Sequence, residues 1–473
     1  SKALRNLAFS VLGFSAAWSA QAQTAASPFS DLITEPGGAG LGFVTRFESS
    51  PYVGGGTRQD LLPLYLYEGE HVSMQANRIG IKFMPSTEQR FDVYFKRRLE
   101  GFPEAGKVAS LNGMEVRNTG VDLGFTYRYE QPWGTLYASI LHDVSNTSNG
   151  TELALEYAYE WRSGRLSLRP SLNVSLRDSK LNNYYYGVRA NEAIAGRPAY
   201  APGSGTNVSL NLYGTYELTD RWRLLAGASV TSFDGSIQDS PIVRRGLQPS
   251  FFLGAAYDFG SYKKLWSDER TPTYVRVLYG RASDDGCHLA RILTFKCADL
   301  DKANPTSITG VHIGKPFIEK LNGWPLDFVG YAGLVYHNDR NLQANGIQAD
   351  LFMKAYYYGL PWNHKVKTRL GWGLGVSFAN RVPYTEVSSQ AARDRPTSRL
   401  LNYLDPTIDV SLGDLIGSPG LKEAYIGLGV SHRSGIFGSS RLLGDVNGGS
   451  NYIYTYLELS LIHISEPTRQ EAI

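Results

Sequence analysis

The sequence predicts an all-β protein of transmembrane antiparallel β-barrels. Two barrels in tandem, of about ten and about eight strands, are expected, with one barrel of about eighteen strands as the alternative. Three observations carry this. Apolar side chains alternate with small or charged ones at period two, over segments of about ten residues, the length a tilted strand needs to cross a bilayer. Aromatics make up 12% of the 473 residues, with 30 tyrosines and 50 glycines, a mix suited to interfacial rings and tight turns. Beyond residue 22, no run reaches the roughly 18 apolar residues of a membrane-crossing helix.

The N-terminus opens with Lys2 and Arg5, continues with an apolar stretch from Leu7 to Trp18, and reaches Ala20-Gln21-Ala22. Positive charge, apolar core and small-x-small site stand in export order, so residues 1–22 are expected to be a cleaved signal peptide. Net charge is only +3, and without a basic run nucleic acid is not an expected partner. An exported barrel protein belongs in the outer membrane of a Gram-negative cell.

The alternation is explicit in TELALEYAYEW. Leu153, Leu155, Tyr157, Tyr159 and Trp161 share one face, and Glu152, Ala154, Glu156, Ala158 and Glu160 the other. In RLSLRPSLNVSLRD the apolar set Leu166, Leu168, Leu172, Val174 and Leu176 opposes Arg165, Ser167, Arg169, Ser171, Asn173, Ser175 and Arg177. NVSLNLYGTYEL repeats the pattern with Val208, Leu210, Leu212 and Leu218 before a turn at Thr219-Asp220. Large apolar residues on one face and charges on the other fit lipid outside and a polar lumen inside. The expected domains are a first barrel over 23–260, a linker over 261–272, and a second barrel over 273–459. The string SLIHISEPTRQEAI breaks the pattern, and residues 460–473 are read as a non-native tail.

Cys287 and Cys297 are the two cysteines. In an oxidising compartment they are expected to form a loop disulfide, and no spacing for a metal site exists. His142, in LHDVSN, is read as a rim residue. The Gly, Ala and Pro of GRPAYAPGSG are read as loop formers.

SPYVGG (residues 50–55), NYYYGVRANEAIAGRPAYAPGSG (183–205) and DSPIVRRGLQPSFFLGAAYDF (239–259) resemble the MipA/OmpV family of outer-membrane proteins. The resemblance implies a barrel that binds or scaffolds. The family's best-described member joins a lytic murein transglycosylase to a penicillin-binding protein, and others look like adhesins or porins.

KEAYIGLGVSHRS is the seventh strand of the second half, directed outward if both barrel ends are periplasmic. Ile426, Leu428, Val430, His432 and Ser434 share its lipid-facing parity. His432-Arg433-Ser434, followed by Asn447-Gly448-Gly449-Ser450-Asn451, resembles PagL, the lipid A 3-O-deacylase family of eight-stranded barrels. That resemblance implies hydrolysis of an acyl ester of lipopolysaccharide, with Ser434 as nucleophile, His432 as general base and Asn451 at the position of the acid. Asn447 and Gly449 match the family's second motif. The backbone amides of Gly435 and Ile436 are the expected oxyanion donors. No metal or cofactor is required. The sequence departs from the family pattern at Asn451, where the acid is a glutamate, and at Gly435, where it has an asparagine. A non-enzymatic envelope scaffold, adhesin or porin with a degenerate second barrel is the alternative.

Overall fold

The computed structural model describes residue 32 and residues 38–102, 108–261 and 271–461. The expected signal peptide, most of the 261–272 linker and nearly all of the tail lie outside these residues. The chain divides into two compact units, at Gly260/Ser261. No helix among the described residues is long and apolar enough to cross a membrane.

The first unit contains β1 (Gly38–Ser49), β2 (Thr57–Glu68), β3 (Val72–Gln75), β4 (Arg78–Phe83), β5 (Gln89–Arg97), β6 (Val121–Gln131) and β7 (Gly134–Asp143). It continues with β8 (Thr151–Ala158), β9 (Trp161–Ser163), β10 (Leu166–Arg177), β11 (Gly205–Glu217), β12 (Trp222–Ser232) and β13 (Leu247–Ser261). Apart from β8 and β9, each strand lies beside its chain neighbours, and β13 neighbours β1, which closes the ring. The short β8 and β9 both pair with β10 and form one interrupted strand, so the barrel counts twelve strands. The expected number was about ten. The hairpin β3–β4 is four and six residues long, too short to show the period of a full crossing.

The parity reading places side chains as the alternation demands. Leu155, Leu176 and Leu210 are 66%, 52% and 56% exposed on the outer face, while Glu156, Asn173 and Ser209 are buried inside. Ion pairs bridge the lumen: Arg46 with Asp60 at 2.8 Å, and Arg98 with Glu152 at 2.7 Å and Asp122 at 2.9 Å. Connecting segments fold over one end as an apolar cap that includes Tyr52, Leu181, Tyr185, Phe233 and Ile242. Helix α1 (Ser179–Tyr186) contributes to it, capped by Asp178, whose carboxylate accepts the Leu181 amide. Between two of these segments, Arg117 donates to both oxygens of Glu192.

The second unit is a separately closed barrel of eight strands: β14 (Thr273–Ala282), β15 (Ser307–Ile318), β16 (Leu326–Asn338), β17 (Gly346–Tyr357), β18 (Thr368–Ala379), β19 (Leu400–Ser411), β20 (Ala424–Ser434) and β21 (Gly449–Leu461). Two closed rings replace the alternative of one large barrel. β21 pairs with β14 as far as Leu461 opposite Thr273, so its ladder runs past residue 459.

The lumen of this barrel is filled. Arg276 meets Asp405 at 3.0 Å and Glu458 at 2.9 Å, Arg369 meets Asp409 and Glu458 at 2.8 Å each, and Lys354 meets Asp405 at 2.5 Å. Tyr331 donates to Glu458 at 2.8 Å, and Tyr454 also bonds Asp405. Three cations and three carboxylates thus neutralise one another where solvent is excluded. Glu458→Ala strips one carboxylate from two buried guanidinium groups at once. It is expected to cost about 3–5 kcal/mol, read as a lower urea midpoint for the folded barrel band on unboiled gels.

Candidate functional site

Strand β20 sorts its residues by parity. Tyr425, Gly427, Gly429, Ser431 and Arg433 turn inward and are buried, while Ile426 and Leu428 stand 43% and 59% exposed on the outside. Val430 shares the outer parity but is covered. His432 and Ser434 continue that outer face and are half-buried.

The ladder sets His432 opposite Asn451 of β21. The imidazole Nδ1 lies 2.7 Å from the Asn451 side-chain oxygen. The Asn451 amide nitrogen in turn donates to the main-chain carbonyl of Cys287 at 3.4 Å. Ser434 stands opposite Gly449, where any Cβ would collide with the Arg433 carbonyl oxygen. Glycine is therefore required at residue 449 for the strands to approach. Asn447 lies in the loop before β21, and its carbonyl accepts from Arg395 at 3.0 Å and from Gln390 at 3.3 Å.

Two expectations for this site change. Among the described residues, no hydrogen bond joins Ser434 to His432; the Ser434 oxygen accepts the Ile436 amide at 3.2 Å instead. The Gly435 amide donates to the Gly448 carbonyl at 3.2 Å. Neither expected oxyanion donor is free in this state, because the chain reverses direction immediately after β20 and satisfies its own amides there. The reversal is strained: Ile436, Phe437 and Gly438 have φ of 52°, 57° and 72°. Left-handed backbone is unusual for an isoleucine followed by a phenylalanine. It holds Phe437 88% exposed beside the site.

The loop between β18 and β19 was not anticipated from sequence. Its helix α2 (Tyr384–Ala391) sends Glu386 to the inward face of the site's own strands. Glu386 forms an ion pair with Arg433 and accepts from the Ser450 hydroxyl, each at 2.8 Å. Burial pushes the Glu386 carboxyl up from its ordinary range, against the pull of Arg433. Arg433 thus anchors the loop inside, while its neighbours His432 and Ser434 face outside. The HRS tripeptide carried this signal, since an arginine with inward parity requires an acid.

The third loop at this end runs between β14 and β15, and a disulfide joins Cys287 to Cys297 within it. Asp285 accepts from Ser389 at 3.0 Å and from Arg393 at 2.6 Å, tying the loop to the segment around α2. His142, in the first unit, bonds Thr151 at the exposed end of β7 and belongs to no cluster.

The family described as MltA-interacting protein MipA matches residues 38–259. The putative outer membrane protein YiaT of Escherichia coli K12 is 26% identical over 46% of this chain and 90% of its own length. Outer membrane protein OmpV of Vibrio cholerae is 32% identical over 32% of this chain and 58% of its own. MltA-interacting protein of Escherichia coli K12 is 24% identical over 47% of this chain and 89% of its own. Among solved structures, a ferric enterobactin receptor mutant of Pseudomonas aeruginosa covers 91% of this chain and 82% of its own at 11% identity. Its TM-score of 0.25 carries no argument. Residues 38–259 are thus similar to the MipA/OmpV family of outer-membrane proteins, and the chain is an outer-membrane protein.

Proposed function

We propose that the second barrel hydrolyses an acyl ester of lipid A, acting from its lipid-facing wall, while the first provides a MipA/OmpV-type platform. One observation carries the reading: on the outer face of β20, His432 is held by Asn451 and followed two residues on by Ser434. An imidazole and a hydroxyl on a lipid-facing wall meet an ester without lipid leaving the membrane.

In the reaction, the Ser434 hydroxyl turns from the Ile436 amide toward the substrate. His432 Nε2 takes its proton as Oγ bonds the ester carbonyl carbon. The carbonyl electron pair moves onto oxygen, and the Ile436 amide that Ser434 has just released becomes available as a donor to it. Collapse breaks the bond to the sugar oxygen, which receives the proton from His432. Water then repeats the sequence on the acyl-serine and frees the fatty acid. The test is mass spectrometry of lipid A from cells expressing the folded protein. Loss of one hydroxyacyl mass supports the proposal, and unchanged lipid A removes this substrate.

A scaffold is the second reading. It is favoured by the likeness of the first barrel to a relative named for interacting with MltA, and it makes a murein transglycosylase the partner to test by co-purification. A porin is disfavoured by the paired charges in both lumens and the cap on the first. In planar lipid bilayers the purified protein is expected to give no stepwise ion conductance. Regular single-channel steps would reinstate the pore.

A further inference from the structure

We infer that the disulfide-stapled loop between β14 and β15 is a positioning device for His432, fixing which ring nitrogen carries the proton. The inference rests on the hydrolase reading and adds residues that neither resemblance supplies.

The argument starts at the Cys287 carbonyl. A carbonyl oxygen only accepts, so the group that Asn451 turns toward it is its NH2, at 3.4 Å. The Asn451 amide oxygen therefore faces the imidazole, 2.7 Å from Nδ1. That oxygen also only accepts, so Nδ1 must carry the proton. A neutral imidazole has one N–H, which leaves Nε2 with its lone pair, the form a general base needs. A free asparagine can present either end of its amide to a ring. The Cys287 carbonyl removes that choice.

What holds the carbonyl in place is the loop, which Asp285 ties to Ser389 and Arg393 and whose two arms meet where the Asp284 amide donates to the Asp299 carbonyl. Its short helix, Leu289–Leu293, buries no residue. The disulfide joins cysteines ten positions apart around it, and Cys287 itself is buried. Ser283 reinforces the attachment: its amide donates to the Asn451 carbonyl at 2.9 Å, and its hydroxyl donates to the Cys287 carbonyl at 3.3 Å. A staple on a loop without a core restricts the conformations open to that loop. Here it restricts the acceptor that orients Asn451. Cys287 and Cys297 are positioning residues, since neither reaches the reacting atoms.

The test reads the ring directly and does not depend on activity. The full-length protein is prepared in detergent micelles with 15N-labelled histidine. Two-bond ring correlations report the tautomer, and the His432 signals are assigned by their loss in His432→Gln. The expected wild-type spectrum shows His432 in the Nδ1–H form. In Cys287→Ser/Cys297→Ser, folded by gel mobility, a mixture of Nδ1–H and Nε2–H forms is expected. Its turnover should fall about tenfold, with KM little changed. If that variant does not fold, the folded wild-type protein is treated with a phosphine reductant and the same spectrum recorded. His432 in the Nε2–H form in the wild type, or a pure Nδ1–H form that survives loss of the disulfide, overturns the inference. A tautomer that behaves as expected beside unchanged lipid A would leave the positioning intact and sink the hydrolase.

Discussion

Ser434→Ala is expected to leave a folded protein in the outer membrane that no longer removes an acyl chain from lipid A. Removing the nucleophile of a Ser-His pair eliminates the covalent route, and losses of about 10³-fold or more are the rule for such sites. The structural cost should be small. The Ser434 side chain is half-buried at the end of β20, and its one hydrogen bond, from the Ile436 amide, contributes about 1 kcal/mol. Loss of lipid A modification, with urea midpoint and gel mobility unchanged, therefore reports chemistry and not unfolding. His432→Gln should match it, because His432 is the general base of the proposed reaction. A Ser434→Ala protein that still deacylates would move the nucleophile elsewhere, even if the activity itself were real.

Legibility in this chain follows the length over which a residue's neighbours are dictated by local geometry. Strand parity is local, since successive side chains alternate faces. The faces of β8, β10, β11 and β20 were therefore readable from Leu155 against Glu156, or Leu428 against Arg433. The opposition of His432 to Asn451 was readable through a motif, and the β20–β21 register places them together. The hairpin β3–β4 escaped because its strands end before a period is established. The partners that finish the site escaped for another reason. Glu386 is 47 residues from Arg433, and Cys287 is 164 residues from Asn451, with nothing periodic joining them. The engaged amides of Gly435 and Ile436 were hidden because backbone direction after a strand depends on the whole loop. Three successive left-handed residues, two of them bulky, are not what Ile436 and Phe437 prefer.

Asn451→Asp is expected to make the site faster. Asparagine and aspartate occupy nearly the same volume, and either can accept the His432 Nδ1 proton. Only the carboxylate stabilises the imidazolium that forms when His432 takes the serine proton. In serine proteases, exchanging that carboxylate for an amide lowers turnover by about 10⁴-fold, which bounds the gain from the reverse exchange. The gain here should be smaller, about 10- to 100-fold, again by analogy with such triads. The new carboxylate cannot donate to the Cys287 carbonyl and will meet it oxygen to oxygen. The pH profile separates this from a change in stability. A negative charge beside an imidazole favours its protonated form and raises its pKa. Because the base must be neutral to act, the rising limb of rate against pH should move to higher pH in Asn451→Asp, even as the plateau rises. A limb that stays in place would mean that the group titrating it is not His432. A plateau that falls would mean that the Cys287 contact matters more to the wild-type site than the charge its partner lacks.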